Sequence, residues 1–453
     1  MSRPRRGLAG SLIAVAIGFI SGYDVAGFGG ALVFITDEFN LTTGDQELVT
    51  TALAVGDIVG AVGAAVLANL IGRKRSLVLV VVAYMSFAVL GATSASPTIL
   101  VAARLLAGLA IGVSYVVVPV YLAESAPARV RGFLLVAYQV TNVIGMVAGY
   151  LGAYLLGESL GWRCVLGLAA VPAVLILPQL WQIGDTARWY MLKGRIDDAR
   201  RALQQVEVAA DVETDLVAIS RALEEETNNV GALREIARSP YRRAIVFAIV
   251  FGFLVQITGI NAIVSYSPRV FEALGFSGHF ALLVLSALAQ SCALAAVLFS
   301  LVLIDRVGRR PVLLSGIGIM VFASLLLIGS FAVGHGSGDP AALVGAFGVL
   351  LFTLGFNVGF GPLACVYAGE CLPSRLRSIG STAMHTSNLV ANAIVVAVFL
   401  SLLTSIGGAG IFAILGMLAT VSYVFVDRFA PETKGRQLED IRHLWAAQPE
   451  LTS

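Results

Sequence analysis

Charged residues are scarce in this chain. Only 13% of its 453 residues are Asp, Glu, Lys or Arg, whereas 58% are hydrophobic. Soluble globular domains have about 25% charged and about 45–50% apolar residues. A soluble protein can bury apolar side chains only in its core, but a bilayer accepts helices that are apolar all round. The shortage of charge therefore excludes an ordinary soluble protein and predicts an integral membrane protein.

Residues that support enzyme or metal chemistry are also few. The chain has 4 histidines and 4 cysteines, and the cysteines lack metal-ligand spacing or a disulfide framework. No nucleophile–base motif or phosphate-binding loop occurs in the sequence. A net charge of +2 is too small to indicate a nucleic-acid partner. We therefore expect no enzymatic activity, no cofactor, no bound metal and no nucleic acid.

Long apolar segments free of charged residues run through most of the chain. A helix needs roughly 20 apolar residues to cross the hydrocarbon of a bilayer, and twelve segments satisfy this in two groups of six. The last apolar run, 378–426, is long enough for two helices, with a predicted break near 405–410. The predicted spans are 9–34, 47–68, 76–95, 98–121, 132–157, 162–183, 244–267, 279–304, 311–333, 341–368, 379–403 and 408–427.

A charged segment separates the two groups of spans and predicts a helical linker outside the bilayer. Its apolar residues recur at helical spacing, which predicts amphipathic helices at 196–209, 211–227 and 232–238. The predicted divisions are an N-terminal six-helix half at 1–184, the linker at 185–243, a C-terminal six-helix half at 244–428 and a tail at 429–453.

The distribution of lysine and arginine predicts the orientation. Basic residues accumulate in cytoplasmic loops of membrane proteins. If both termini are cytoplasmic, only Arg104, Arg163 and Arg269 of the 30 basic residues fall outside the cytoplasmic tails and loops. We therefore expect both ends of the chain, and the linker, to be cytoplasmic.

Two loop motifs occur twice. Residues 69–74, after the second span, recur as 305–310, after the eighth; residues 124–127, after the fourth span, recur as 370–373, after the tenth. The two pairs have nearly the same spacing, which indicates a duplicated six-helix unit. Transporters built from such repeats bind their substrate near the bilayer midplane.

Several short motifs, in a fixed order along nearly the whole chain, carry a family resemblance. On them the chain resembles the sugar porter branch of the major facilitator superfamily. The resemblance implies an all-α membrane fold of twelve transmembrane helices in two six-helix halves with a cytoplasmic helical linker. The motifs are Gly22-Tyr23-Asp24, Arg104 with Gly108 and Gly112, Pro119-Val-Tyr121-Leu-Ala-Glu124, Arg131-Gly132, Gly161-Trp162-Arg163, Ala187-Arg188-Trp189, Gln256 with Gly259-Ile-Asn261, Asp305-Arg-Val-Gly-Arg-Arg310 and Pro431-Glu-Thr-Lys-Gly435.

Three residues with charged side chains lie away from the ends of predicted spans, where each costs roughly 2.5–3.5 kcal/mol on insertion scales and is a candidate functional residue. Asp24 in the first span and Arg104 in the fourth can pair across the N-terminal half. Protonation of Asp24 would break that pair and so tie proton binding to helix movement. In the family that the chain resembles, an acid at this first-span position is typical of symporters. The alternative is a static buried salt bridge.

The third ionisable residue, Asp57, lies in the second span among Gly56, Gly60 and Gly63, which permit close helix approach. It is interpreted as a second proton site, an additional partner of Arg104, or a ligand for a cationic or amine-bearing substrate. An acid that faces water in a vestibule is the alternative.

The resemblance also implies a substrate pocket. Amide side chains offer both a donor and an acceptor to a sugar hydroxyl, and an aromatic face suits the CH face of a sugar ring. Each polar candidate could instead form a helix-to-helix hydrogen bond. The candidate residues are Gln139, Gln256, Asn261, Tyr266, Phe360 and Asn388.

Acids and arginines of the repeated loops are expected, by the same resemblance, to form a cytoplasmic charge network that holds one gating state. The alternative is that the basic residues only set the topology. The expected members are Glu124, Arg131, Asp305, Arg309, Glu370 and Arg377.

These observations predict a secondary active transporter that imports a sugar or polyol with a proton by alternating access. Its partners would be the solute, the proton and the lipid bilayer of a bacterial plasma membrane, and it would function as a monomer. Apolar residues at expected pocket positions, such as Val255 and Ala293, favour an exporter of a less polar metabolite or drug as the alternative. A non-transporting sugar sensor is a further alternative, but the predicted tail is short for one.

Overall fold

The computed structural model is helical throughout the part of the chain that it describes, with nineteen helices and no strand there. The described residues are 4–126, 128–204, 212–228, 241–333, 340–371 and 377–434. Twelve stretches are long and apolar enough to cross a membrane, so the predicted number of spans is confirmed.

The helices of the N-terminal part include five long ones and the short helices of the linker. They are α1 (Pro4–Phe39), α2 (Thr43–Ile71), α3 (Arg73–Ala92), α4 (Pro97–Ser125), α5 (Ala128–Gly157), α6 (Trp162–Leu168), α7 (Ala170–Gln182), α8 (Ala187–Leu192), α9 (Ile196–Leu203) and α10 (Val212–Asn228).

The C-terminal part contains nine described helices. They are α11 (Tyr241–Ile257), α12 (Ile260–Ser265), α13 (Ser267–Ala273), α14 (His279–Val307), α15 (Arg309–Val333), α16 (Pro340–Val358), α17 (Phe360–Glu370), α18 (Arg377–Ser405) and α19 (Gly407–Phe429).

Some predicted spans are interrupted helices. The predicted break in the last apolar run is confirmed, because α18 ends at Ser405 and α19 begins at Gly407. The seventh span, predicted as continuous, breaks between α11 and α12, where Gly259 has a φ of 90°. This left-handed conformation suits glycine, which has no Cβ, and it ends a helix.

The chain forms two compact units. The first unit comprises Met1–Asn40 and Ala52–Asn229, and the second comprises Leu41–Thr51 and Val230–Ser453. The linker helices belong to the first unit and have a small apolar core of their own. Its buried members are Ala187, Ala199, Leu203, Val212 and Leu216.

The predicted linker helices are reproduced in part. The helix expected at 196–209 ends as α9 at Leu203, and the helix expected at 211–227 is α10. The third predicted helix, 232–238, lies outside the described residues.

The start of α2 belongs to the second unit because its polar side chains bind there. The Glu47 carboxylate accepts hydrogen bonds from the backbone N–H of Ser401 at 2.6 Å and from its hydroxyl at 2.5 Å. Arg269 Nε donates to Gln46 Oε1 at 3.2 Å. Both acceptor residues are almost fully buried, so these bonds fix the first turns of α2.

Glycines bring helix backbones into direct contact in the first unit. A Cβ added at Gly22 would lie 1.8 Å from the carbonyl oxygen of Asn142, where α1 crosses α5. A Cβ at Gly56 would lie 2.3 Å from the carbonyl oxygen of Leu105, where α2 crosses α4. Small residues at such crossings allow close van der Waals packing between membrane helices.

Aromatic side chains fill the corresponding core of the second unit. Phe251 packs edge-on against Phe360, with ring centroids 5.9 Å apart, and lies 5.3 Å from the Tyr367 ring. Such pairs contribute beyond the apolar area that they bury.

Gly56→Ala tests the contact between α2 and α4. The new methyl group would overlap backbone atoms, which cannot rotate away, so we expect a loss of about 1–3 kcal/mol of stability and a lower melting temperature in detergent. Gly63→Ala on the same helix is the matched control, because a Cβ there meets nothing within 4 Å. Equal melting temperatures for the two variants would contradict the contact.

Candidate transport site

A buried ion pair joins α1 and α4 within the first unit. Arg104 Nη1 donates to Asp24 Oδ2 at 2.8 Å, and the two side chains are only 4% and 2% exposed. Phe28 lies one helical turn after Asp24 on α1. The Arg104 guanidinium carbon is 3.9 Å from the centre of the Phe28 ring, which adds a cation–π contact. The pairing expected from the sequence is therefore present, while its role in coupling stays a prediction.

Asp57 lies apart from this pair. Its residue is 6% exposed, and its Oδ1 is buried without a hydrogen-bond partner among the described residues. Within that part of the chain no ion pair joins Asp57 to Arg104, and the role of Asp57 stays a prediction. Its burial also differs from that of an acid facing a water-filled vestibule.

Two amide oxygens are left without partners in the second unit. Gln256 Oε1 at the end of α11 and Asn392 Oδ1 in α18 are both buried and accept no hydrogen bond within the described residues. A buried acceptor left unpaired costs about 1–3 kcal/mol, so each oxygen is suited to a donor brought by a ligand. Asn261 lies in α12, directly after the break that follows Gln256.

Asn392 was not among the residues predicted from the sequence. Its signal was its position four residues after Asn388, which places both on one face of a helix. Asn388 in α18 and Gln139 in α5 are partly buried. Gln139 belongs to the first unit, whereas the other pocket candidates belong to the second.

The two aromatic candidates serve packing in this structure. Tyr266 is fully buried, its hydroxyl donates to the carbonyl oxygen of Val396 at 3.2 Å, and its ring stacks on Phe399. Phe360 is also fully buried, in the aromatic cluster with Phe251. Large aromatic surfaces gain most from burial in a core, so neither ring is presented to a solute here.

A charge network ties together the arginine-rich end of the first unit. Arg73 donates two hydrogen bonds to Glu124, from Nε to Oε2 at 3.0 Å and from Nη2 to Oε1 at 3.2 Å. The Thr186 hydroxyl donates to Glu124 at 2.6 Å, and Asp185 Oδ1 accepts the backbone N–H of Arg73 at 3.0 Å. Bidentate Arg–carboxylate pairs are among the stronger charged contacts.

The second unit repeats this network. Arg309 donates to both oxygens of Glu370 at 3.2 Å, and the Thr433 hydroxyl donates to Glu370 at 2.5 Å. Glu432 Oε1 accepts the backbone N–H of Arg309 at 3.0 Å. The duplication seen in the sequence therefore extends to a third motif, in which Asp185-Thr186 corresponds to Glu432-Thr433.

Of the predicted network members, Glu124, Arg309 and Glu370 take part in these contacts. The side chains of Arg131, Asp305 and Arg377 lie outside the described part of the structure. Sequence reasoning missed Arg73 and the two acid–threonine pairs. A comparison of the segment after the sixth span with the segment after the twelfth was the signal that could have found those pairs.

The two acids of the third motif, Asp185 and Glu432, have pKa values shifted in opposite directions. Burial raises the pKa of the Asp185 carboxyl, and bonds from the Thr186, Arg73 and Lys74 backbone N–H groups offset only part of that rise. Burial acts in the same direction on Glu432, but the backbone N–H groups around it hold its pKa below the usual value. The donors to Glu432 are Lys434, Arg309, Arg310 and Thr433.

Comparison with known proteins agrees with this architecture. The family "Sugar (and other) transporter" matches residues 10–445. The galactose-proton symporter of Escherichia coli (strain K12) is 32% identical over 431 residues, which cover 95% of this chain and 92% of that protein. Polyol transporter 5 of Arabidopsis thaliana is 29% identical over 463 residues, covering 96% of this chain and 85% of that protein.

The fold is likewise that of a solved transporter. A major facilitator superfamily proton:xylose symporter, bound to 6-bromo-6-deoxy-D-glucose, superposes with a TM-score of 0.80 at 22% identity, covering 98% of this chain and all of that one. Twelve apolar helices and the family match make this an integral multi-pass membrane protein and a transporter, not an enzyme. The chain belongs to the sugar porter family of the major facilitator superfamily.

Proposed function

We propose that this protein is a proton-coupled symporter that imports a sugar or polyol by alternating access. The observation that carries the proposal is the buried Asp24–Arg104 ion pair of the first unit. Relatives named as a galactose-proton symporter and a polyol transporter support the same activity. The protein works as a monomer in a bacterial plasma membrane, with both termini in the cytoplasm as the distribution of basic residues predicts.

The ion pair supplies the coupling. An ionised carboxylate and a guanidinium stabilise each other in a low-dielectric interior, whereas either one alone is strongly unfavourable there. A proton on Asp24 removes the attraction that holds α1 to α4 at this point. The two helices can then rearrange, and the proton leaves when the pair forms again.

The amide groups supply the recognition. The unpaired oxygens of Gln256 and Asn392 accept hydrogen bonds from substrate hydroxyls. Asn261 and Asn388 of the same unit add further donors and acceptors, and the break at Gly259 lies between Gln256 and Asn261. The substrate class is therefore a neutral polyhydroxylated solute.

The paired charge networks provide the gating. Each network joins the loop after one span to the segment that follows the last span of the same unit, so it stabilises one arrangement of that end. Loosening it favours another arrangement. Arg131, Asp305 and Arg377 are assigned to these networks on the motif alone.

The two networks should respond to pH with opposite signs. Asp185 has a folded-state pKa above 3.8, so its charge costs stability at neutral pH and the cost disappears as pH falls through that pKa. Glu432 has a folded-state pKa below 4.5, so its charge stabilises at neutral pH and that contribution is lost on acidification. The sign of each effect follows from proton linkage.

We therefore predict that acidification changes the melting temperature of wild type relative to Asp185→Asn and to Glu432→Gln in opposite directions. From neutral pH to about pH 4, the melting temperature of wild type should rise relative to that of Asp185→Asn and fall relative to that of Glu432→Gln. The measurement is thermal unfolding in detergent across this range. Differences that move in the same direction would refute the assignment.

Asp24→Asn tests the coupling directly. It mimics the permanently protonated acid, so accumulation of solute driven by a pH gradient should fall well below that of wild type while solute binding persists. Radiolabelled hexoses, pentoses and polyols would be offered to proteoliposomes with and without an imposed gradient. Asp197→Asn, whose side chain is 90% exposed, is the matched control and should accumulate solute normally. Wild-type accumulation by Asp24→Asn would contradict the mechanism.

Gln256→Ala and Asn392→Ala test recognition. Each removes one hydrogen bond worth about 0.5–1.5 kcal/mol, so affinity for the best solute of the panel should fall about three- to tenfold. Gln179→Ala is the control, since its amide donates to the carbonyl oxygen of Leu175 on an exposed face. Binding by all three variants with wild-type affinity, measured by calorimetry, would remove these amides from the site.

A further inference from the structure

Asp57 is a buried acid that the coupling pair does not use. It lies inside the second span, its residue is 6% exposed, and its Oδ1 has no hydrogen-bond partner among the described residues. The charged groups buried on the neighbouring helices, Asp24 of α1 and Arg104 of α4, bind each other. An ionised carboxylate without a partner is among the most unfavourable groups in a low-dielectric interior.

The packing of α2 on α4 prevents Asp57 from moving away. A Cβ added at Gly112 would lie 2.1 Å from the carbonyl oxygen of Asp57, and one at Gly108 would lie 2.9 Å from its backbone nitrogen. The two backbones are therefore in contact on both sides of this residue. These contacts hold the backbone of Asp57 in its buried position.

Among the described residues, the titratable groups recorded near the Asp57 carboxyl are two tyrosines. Tyr115 of α4 and Tyr138 of α5 lie within electrostatic range of Asp57. The two tyrosine rings meet edge to face, with centroids 6.3 Å apart. Phenol groups can donate to or accept from a carboxyl in either protonation state.

A chain of hydroxyl groups leads away from Tyr138 through the first unit. Its hydroxyl lies 3.5 Å from that of Ser114, which lies 3.4 Å from that of Tyr84, which lies 2.6 Å from that of Ser21. Either oxygen of each pair can be the donor, so the chain can reverse its direction. It ends on α1, three residues before Asp24.

We propose that Asp57 is a second proton-carrying carboxyl, separate from the Asp24–Arg104 pair. A solvent proton binds Oδ1 when the residue is exposed and forms an O–H bond that keeps the acid neutral once it is buried. Movement of α2 that exposes the residue lets that bond break and returns the proton to water on the other side. Because the inference rests on the proposed proton coupling, its test includes a measurement that does not depend on transport.

Infrared spectroscopy of the purified protein supplies that measurement. A buried protonated carboxyl absorbs as a separate C=O stretch, which should be present in wild type and in Asp24→Asn at neutral pH and lost in Asp57→Asn. Asp57→Asn should also melt no lower than wild type, because the neutral amide suits the site. If it does not fold, Asp57→Ser serves in its place. A band that persists without Asp57 would overturn the proposal.

Transport stoichiometry is the second readout. Measured from reversal potentials in proteoliposomes, the number of protons per solute should fall by one in Asp57→Asn. An unchanged number of protons per solute in Asp57→Asn would overturn the proposal. An infrared band that is unchanged in Asp57→Asn, together with a selective loss of amino-sugar binding, would also overturn it and would indicate that Asp57 binds an amine ligand. Failure of wild type to accumulate solute at any pH gradient would instead refute the proposed symport, and the infrared result would still stand.

Discussion

The constraint on which this structure depends is that a charge inside a membrane span must be paired or neutralised. Asp24 and Arg104 satisfy it by contact at 2.8 Å, which fixes the register of α1 against α4. Glycines allow the helices around the pair to approach at backbone distance: Gly22 against α5, and Gly108 against α2. An ion pair in such a rigid setting has few alternatives, so the addition of one proton can change which helix arrangement is stable.

Charged groups are also paired at the arginine-rich ends of the units, where an unpaired charge costs less free energy. There Arg73 and Arg309 each bind a glutamate bidentately, and each network is completed by an acid and a threonine from a distant segment. The positive φ of Gly72 and Gly308, 100° and 110°, turns the chain so that the following N–H groups face that acid. The duplication therefore preserves a hydrogen-bond pattern as well as a motif.

The sequence predicted those features of the structure that a single physical constraint determines. Twelve spans were predictable because bilayer thickness sets the length of apolar segments. The ion pair was predictable because Asp24 and Arg104 lie well inside their spans, where an unpaired charge is costly. The break at Gly259 was not, because it depends on the φ of one glycine that a hydropathy pattern does not register.

The details of the pocket required tertiary packing. Tyr266 and Phe360 were assigned to the pocket because an aromatic face suits the CH face of a sugar ring, but the structure buries both rings against Phe399 and Phe251. Asn392 has the same residue type as Asn388, and only its unpaired buried oxygen distinguishes it. Asp185 and Glu432 were not assigned to the network because the two acid–threonine pairs follow different spans and were not compared with each other.

Proton movement caused by solute alone is the most direct test of the account. Proteoliposomes in lightly buffered medium, with no gradient imposed, would receive the best solute of the panel while the external pH is recorded. Proton coupling predicts that the medium becomes more alkaline as protons enter with the solute, and that Asp24→Asn reduces this change. Entry of solute into wild-type vesicles with no change in external pH would contradict proton coupling.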